Sequence, residues 1–503
     1  MAVERLAVAD LGSNSFRLVV YAYDPGRWWA HADEIREAVR ISEGMDGALR
    51  DEPMRRALRT VEVFHAFCRA TGVTAVEAVA TSAIRDASNR DELLGAIAER
   101  TDIPVRVLST EEEARYGYLA IVNTTTLADG FGIDIGGGSV QAMRVTGREL
   151  ADSSSWPLGS VRVSERFLPG DESGGKALKA LRKHVTTEVE RAEWFGGGGR
   201  LVGIGGTIRN LAAAAERHAG VDHPDAQGYL LTRDALGELV DELASLSPSK
   251  RGKVPGIKPD RGDVILGGAA VLAAFMDAGE FAELEVTESG LREGVFFERF
   301  LAEDDRRLLP DVRRASVENL ATRYQDDLRH AARVARLSLE LFDGLVDAGL
   351  YEPDETDREL LWAACFLHDI GTVVDYDDHH KHSRYLILNA GLPGFTPREV
   401  ELVALVARYH RKGTPDTGEL GSLARKGDDR RLGVLAGALR LAEQLERSRD
   451  GSVRAVHVEA SDGDVVLRAD ASGDASAVAI WSARRNADLL ESAIGRTVTI
   501  GEP

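Results

Sequence analysis

Leu6–Val20 reads LAVADLGSNSFRLVV, and Phe131–Val145 reads FGIDIGGGSVQAMRV. In each, an apolar run ends in aspartate, a loop of glycine and small polar residues follows, and a second run returns with rough alternation. Strand, tight turn, strand is a β-hairpin, and the small loop residues take up its sharp geometry. Asp10-Leu-Gly-Ser-Asn-Ser15 and Asp134-Ile-Gly-Gly-Gly-Ser139 correspond position for position. The same hairpin is therefore expected to open two similar halves.

Outward from these hairpins the chain alternates. Arg55–Ala70 is an amphipathic helix, Ala75–Ala80 a strand, Arg90–Arg100 a helix, Val105–Leu108 a strand and Glu111–Val122 a helix. In the second half, a strand at Leu201–Ile204 runs into a Gly-Gly-Thr turn and a helix from Ile208. A helix after Arg233, the apolar helix Val264–Ala278 and a short strand at Val286–Thr287 follow. Such alternation predicts layered α/β lobes with partly parallel sheets. From the charged connector Ala302–Arg314 to about Arg449 the pattern is helical and rich in histidine. Val453–Ile500 then closes with two β-like runs, a helix and TVTI. Four units are expected: residues 1–125 and 126–302 as α/β lobes, 303–450 as a helical domain, and 451–503 as a small α/β segment.

Composition limits the function. Sixty-two basic residues against 82 acidic leave a net charge of −20 over 503 residues, which disfavours general DNA or RNA binding because that needs a basic face. A local basic cleft for a polyanion remains compatible with an acidic shell. Two cysteines, Cys68 and Cys365, exclude a disulfide framework and a thiolate zinc site. The start MAVERLAVADLGSNS has no secretory pattern, and no apolar run reaches the roughly 18 residues of a membrane span. A cytoplasmic protein with no membrane partner is expected.

The loops are suited to phosphate. Glycine lets successive backbone N–H groups close around an anion, and the preceding aspartate can hold a divalent cation. Gly12, Ser13, Asn14 and Ser15, facing Gly136, Gly137, Gly138 and Ser139 across a cleft, would clamp a phosphate chain from both sides. Gly205, Gly206 and Thr207, between a strand and a helix, would present helix N-terminal N–H groups to the same anion.

At these residues the chain resembles a family. DLGSNSFRLVV, ATSAIRDASN (Ala80–Asn89), STEEEARYGYLA (Ser109–Ala120), DIGGGSVQ, GIGGTIRN and the Arg261-Gly-Asp-Val-Ile-Leu-Gly-Gly stretch resemble, in order and spacing, the exopolyphosphatase/guanosine pentaphosphatase (Ppx/GppA) branch of the actin, sugar-kinase and heat-shock-chaperone ATPase superfamily. The resemblance implies two ribonuclease-H-like, actin-like lobes around a cleft, and a homodimer. It implies hydrolysis of terminal phosphoanhydride bonds with Mg²⁺, the substrate being inorganic polyphosphate or, by the same chemistry, guanosine pentaphosphate. Glu113 matches the family's catalytic glutamate, Asp134 would hold Mg²⁺, Asp10 would support it, and Arg85 would contact phosphate. Arg209, Lys253, Lys258 and Arg261 are weaker candidates for a basic track. Thr110-Glu-Glu-Glu113 also reads as a capping box; Ser109 with Glu112 satisfies that pattern one residue earlier and would leave Glu113 free.

Phe366-Leu-His-Asp-Ile-Gly371 resembles the motif of HD-type domains, which implies metal ligation by His330, His368 and Asp369. Glu443 stands where those domains carry a final aspartate. His379, His380, His382 and His410 resemble extra histidines of HD-bearing exopolyphosphatases. The helical domain is then a substrate tract, a dimerisation element or a second catalytic unit. An actin-like nucleotide switch with this domain as its effector is the reading from another class.

Overall fold

The structure, a computed structural model, describes residues 3–170, 175–221, 226–325, 327–461, 463–472 and 475–501. The chain divides into two compact units, Met1–Val312 and Arg313–Pro503.

The first unit carries the repeat. Strands β1 (Glu4–Leu11), β2 (Phe16–Asp24), β3 (Trp28–Glu37), β4 (Ala75–Ala80) and β5 (Val105–Val107) form a sheet in the order β3-β2-β1-β4-β5. Strands β6 (Gly130–Ile135), β7 (Val140–Thr146), β8 (Glu149–Trp156), β9 (Leu201–Ile204), β10 (Leu230–Thr232) and β11 (Glu283–Val286) form the second, in the order β10-β11-β9-β6-β7-β8. Each central strand pairs in the same way. β1 is antiparallel to β2 and parallel to β4; β6 is antiparallel to β7 and parallel to β9. Register places Arg17 opposite Asp10 and Gln141 opposite Asp134, so the two aspartates hold equivalent positions at the ends of equivalent strands. β1 and β6 are apolar almost throughout because helices cover both faces of a central strand.

Sequence periodicity located the hairpins, but each continues into a third strand, β3 or β8, that was not anticipated. Both are half-exposed edge strands of mixed polarity (WWAHADEIRE and ELADSSSW), so they carry little apolar alternation to read. The helix Thr110–Val122 crosses from the first sheet to the second, where Gly117 lies against Met143 and Ile204. The helix Leu291–Phe300 returns to the first sheet, and Phe296 stacks on Tyr21 with ring centroids 4.2 Å apart. Tyr116 donates to Glu298 Oε2 at 2.5 Å where these two helices meet. The lobes are thereby tied by both helices, which fixes the cleft.

In the second unit, helices Leu328–Asp347, Asp357–Leu367, His379–Ala390, Pro397–Arg408 and Asp428–Leu445 enclose one core. Strands β12 (Val453–Ala460), β13 (Asp464–Ala471) and β14 (Thr497–Gly501) form a small sheet in that order. Val456, Leu467 and Ile500 contribute to the same core as the helices. Cys68 and Cys365 are buried free thiols, pushed by burial up to about 11 and about 12. Among the described residues, no helix is long and apolar enough to cross a membrane.

Candidate active site

A cavity of about 540 Å³ lies in the first unit where the C-terminal ends of β1 and β6 meet. Both hairpin loops line it. Gly12, Ser13, Asn14 and Ser15 come from one side, Gly136, Gly137 and Ser139 from the other, and Gly205 and Gly206 complete the wall at a helix start. Gly205 has φ 99°, and a Cβ there would stand 2.6 Å from Asp134 Oδ1. Only glycine allows both the left-handed backbone and this approach to the carboxylate.

Glu113 reaches the cavity because its own helix is capped by others. Ser109 Oγ accepts from the Glu112 amide at 3.1 Å, and Glu112 Oε2 accepts from the Ser109 amide at 2.9 Å. That reciprocal box satisfies the helix start and leaves Glu113, 7% exposed, facing inward. Arg85 Nη1 donates to Glu113 Oε2 at 2.7 Å, and Ser139 Oγ donates to Oε1 at 3.3 Å. Burial raises the Glu113 carboxyl above its ordinary range, against the Arg85 guanidinium, which draws it down. Burial, and then the Glu113 and Asp10 carboxylates, push Asp134 up to about 7. Burial likewise raises Asp10, although Arg292 Nη1 donates to its Oδ2 at 3.3 Å. Three carboxyl groups thus converge with more negative charge than the site easily holds.

Cations line the rest. Arg17, Arg36, Arg209, Arg217, Lys258, Arg261 and Arg292 all border the cavity. Burial, with Arg292 and Arg17 nearby, brings Arg209 down to about 10. For Arg292 burial also opposes the charge, but Glu293 and Asp10 outweigh it and keep the guanidinium firmly protonated.

Three sequence candidates lie elsewhere. Arg85 is not part of the cavity wall, because Glu113 and the Leu108 carbonyl at 3.2 Å hold its guanidinium. Gly138 faces the opposite loop, where a Cβ would meet Ser82 Oγ at 2.4 Å and Ser13 Oγ at 2.9 Å; its role is to let the loops close together. Thr207 is buried against Gly268 rather than open to the cavity. Of the weaker candidates, Arg209, Lys258 and Arg261 line the wall and Lys253 does not. Arg17, Arg36, Arg217 and Arg292 were not anticipated. Arg17 carried a signal, since strand register puts it opposite Asp10. Arg292 arrives from a helix almost three hundred residues away and carried none.

The family model described as Ppx/GppA phosphatase family matches residues 19–303, more than half of the chain. The chain belongs to the Ppx/GppA phosphatase family. A second model, for domain III of Ppx/GppA phosphatases, matches residues 312–471, which takes in the five helices named above for the second unit. Among solved structures, the Ppx/GppA family member of Aquifex aeolicus is 26% identical, with a TM-score of 0.53 over 60% of this chain and 99% of that one. An exopolyphosphatase from Cytophaga hutchinsonii is 24% identical, with a TM-score of 0.55 over 59% of this chain and 98% of that one. The two-lobed unit thus has the α/β fold of Ppx/GppA phosphatases, and the chain is a phosphatase of that family.

The second unit gathers its own residues. His330, His368, Asp369 and Glu443 converge, with Glu443 Oε2 at 2.9 Å from His330 Nε2 and 3.2 Å from His368 Nε2. His379 and His410 join them, whereas His382 does not.

Proposed function

We propose that this protein is an exopolyphosphatase: it cleaves the terminal phosphoanhydride bond of linear inorganic polyphosphate and releases orthophosphate. The observation that carries the reading is the lining of the cleft. Seven arginine or lysine side chains and the glycine-loop amides surround Glu113, and none of the described lining residues is aromatic. Such a wall suits a chain of repeated phosphate charge and offers no ring on which a base could stack.

In this reading the terminal phosphate lies between the two loops, its oxygens facing backbone N–H groups and guanidinium groups. A water in line with the bond attacks phosphorus, and the bridging P–O bond breaks as the new one forms. Glu113 orients that water and accepts its proton. Its raised carboxyl makes it a better base than an exposed glutamate, while Arg85 keeps it ionised and Ser139 fixes its rotation. Cations along the wall stabilise the charge that passes to the leaving chain.

Ppx/GppA phosphatases are generally dependent on a divalent metal. Asp10 and Asp134 fit one: they are half-buried oxygen donors on the cavity wall, and the raised Asp134 marks charge that a cation would relieve. Oxygen donors suit Mg²⁺, which when bound would neutralise phosphate oxygens.

The test is phosphate release from long-chain polyphosphate with Mg²⁺ by wild type and Glu113→Gln, with guanosine pentaphosphate as the competing substrate. Release from polyphosphate that is lost in Glu113→Gln supports the proposal. Turnover of guanosine pentaphosphate alone would replace the substrate, and tight nucleotide binding without turnover of either would favour a switch.

A further inference from the structure

Gln141 lies on β7 between Asp134 of β6 and Ser155 of β8, each directly opposite it in register. Directly opposed residues share a face of a sheet, so its side chain stands on the face that carries those of Asp134 and Ser155. Only 1% of it is exposed. Its amide nitrogen donates to Ser139 Oγ at 2.9 Å and to Ser155 Oγ at 3.4 Å. Its amide oxygen has no hydrogen-bond partner among the described residues.

The direction of this amide follows from what it touches. Ser139 has a single hydroxyl proton, and an ionised carboxylate only accepts, so that proton goes to Glu113 Oε1 at 3.3 Å. Ser139 Oγ can then face only a donor from Gln141, which turns Nε2 towards it and leaves Oε1 unpaired. A buried carbonyl without a partner weakens a fold. An apolar side chain of the same length would carry no such cost, so packing does not account for the amide.

We infer that Gln141 is a positioning residue for the phosphatase reaction, acting on Glu113 through Ser139. The inference rests on Glu113 as the base of that reaction. The Nε2–H group occupies a lone pair of Ser139 and so keeps the hydroxyl rotor turned with its proton on Glu113 Oε1. Arg85 holds the other carboxylate oxygen, Oε2, at 2.7 Å. Both oxygens are thereby fixed, and Glu113 presents one orientation to a water in the cavity that it borders. Gln141 is absent from the cavity wall, so it reaches the chemistry only through the serine. It also bears on charge. Burial raises the Glu113 carboxyl, and after Arg85 the Ser139 hydroxyl is among the groups that draw it down; a hydroxyl set loose would let it rise.

The experiment is a double-mutant cycle on the full-length protein with Mg²⁺. Gln141→Met, Ser139→Ala and the two together are compared with wild type and Glu113→Gln by kcat, KM, pH–rate profile and thermal melting. The substrate is long-chain polyphosphate, or guanosine pentaphosphate if wild type turns over only that. Gln141→Met is expected to lower kcat about tenfold with KM close to wild type. Its acid limb should move to higher pH, and it should melt no lower than wild type. In the Ser139→Ala background the same change should cost almost nothing further, because the path to Glu113 is already cut. An undiminished loss in that background overturns the proposal, as does an unchanged kcat for Gln141→Met alone. If Gln141→Met melts below wild type, Gln141→Leu is put through the same cycle and judged by the same coupling. Full activity of Glu113→Gln, or turnover of neither substrate by wild type, would instead remove the reading of Glu113, and this proposal with it.

Discussion

Arg85 Nη1 lies 2.7 Å from Glu113 Oε2, yet only Glu113 borders the cavity. The guanidinium therefore acts on whatever the cavity binds through the carboxylate, by fixing its orientation and lowering its proton affinity. Arg85→Ala is expected to lower kcat for polyphosphate by about tenfold to a hundredfold. The acid limb of the kcat profile should move to higher pH, because removing the cation lets burial raise Glu113 further. A pH–rate profile that keeps its acid limb while KM rises would instead make Arg85 a direct phosphate ligand.

Adjacent glutamates divide capping from chemistry. Glu113→Gln should cut kcat by about 10²–10⁴-fold, as expected for loss of a general base. Glu112→Gln should leave kcat close to wild type and cost at most about 1 kcal/mol of stability through the weakened capping box. Steady-state kinetics and thermal melts on the two variants read both effects.

The wall cations are expected to act on binding more than on turnover. Lys258 borders the cavity without belonging to the carboxylate cluster. Lys258→Ala should raise KM for polyphosphate several-fold with a smaller change in kcat, and added salt should narrow the difference from wild type. Initial rates across a salt series measure this.

In the second unit, Arg313 forms a two-point bridge with Glu399, with Nη2 to Oε1 at 3.0 Å and Nη1 to Oε2 at 3.1 Å. Burial works against the Glu399 carboxylate, but the hydrogen bonds from Arg313 outweigh it and hold the group below its ordinary range. A carboxyl lowered in the folded state contributes stability that is fully present above its unfolded value, about 4.3. That contribution is lost as pH falls through the lower folded value. Glu399→Gln should therefore cost about 2 kcal/mol at neutral pH and flatten the loss of stability below about pH 4. Denaturant titrations from pH 3 to pH 7 test both the size and the slope.

Much of the first unit was legible because its message is local. An apolar strand, an aspartate, a glycine loop and a returning strand lie within fifteen residues, and their repetition declares two lobes. The helix Arg90–Arg100 appears with those same bounds, since its face follows the helical period. The edge strands β3 and β8 were not readable, because one sheet neighbour and a half-wet surface impose no strict alternation. The site divides along the same line. Glycine-loop residues and Glu113 announced themselves through motif, whereas Arg292 reaches Asp10 only after the chain has folded back on the helix Leu291–Phe300.

The sequence by itself determined the paired hairpins, the two glycine loops with their aspartates, and the histidines of the helical unit, because each depends on neighbours in the chain. Tertiary structure decided which side chains face the cleft. It turned Arg85, Gly138 and Thr207 away from the cavity and brought Arg17, Arg36 and Arg292 to it. It also aimed the ring nitrogens of His379 and His410 at one another across 3.1 Å. The physical reason is that burial, charge pairing and lone-pair direction depend on distances in space, and these arise only when elements far apart in the chain share one core.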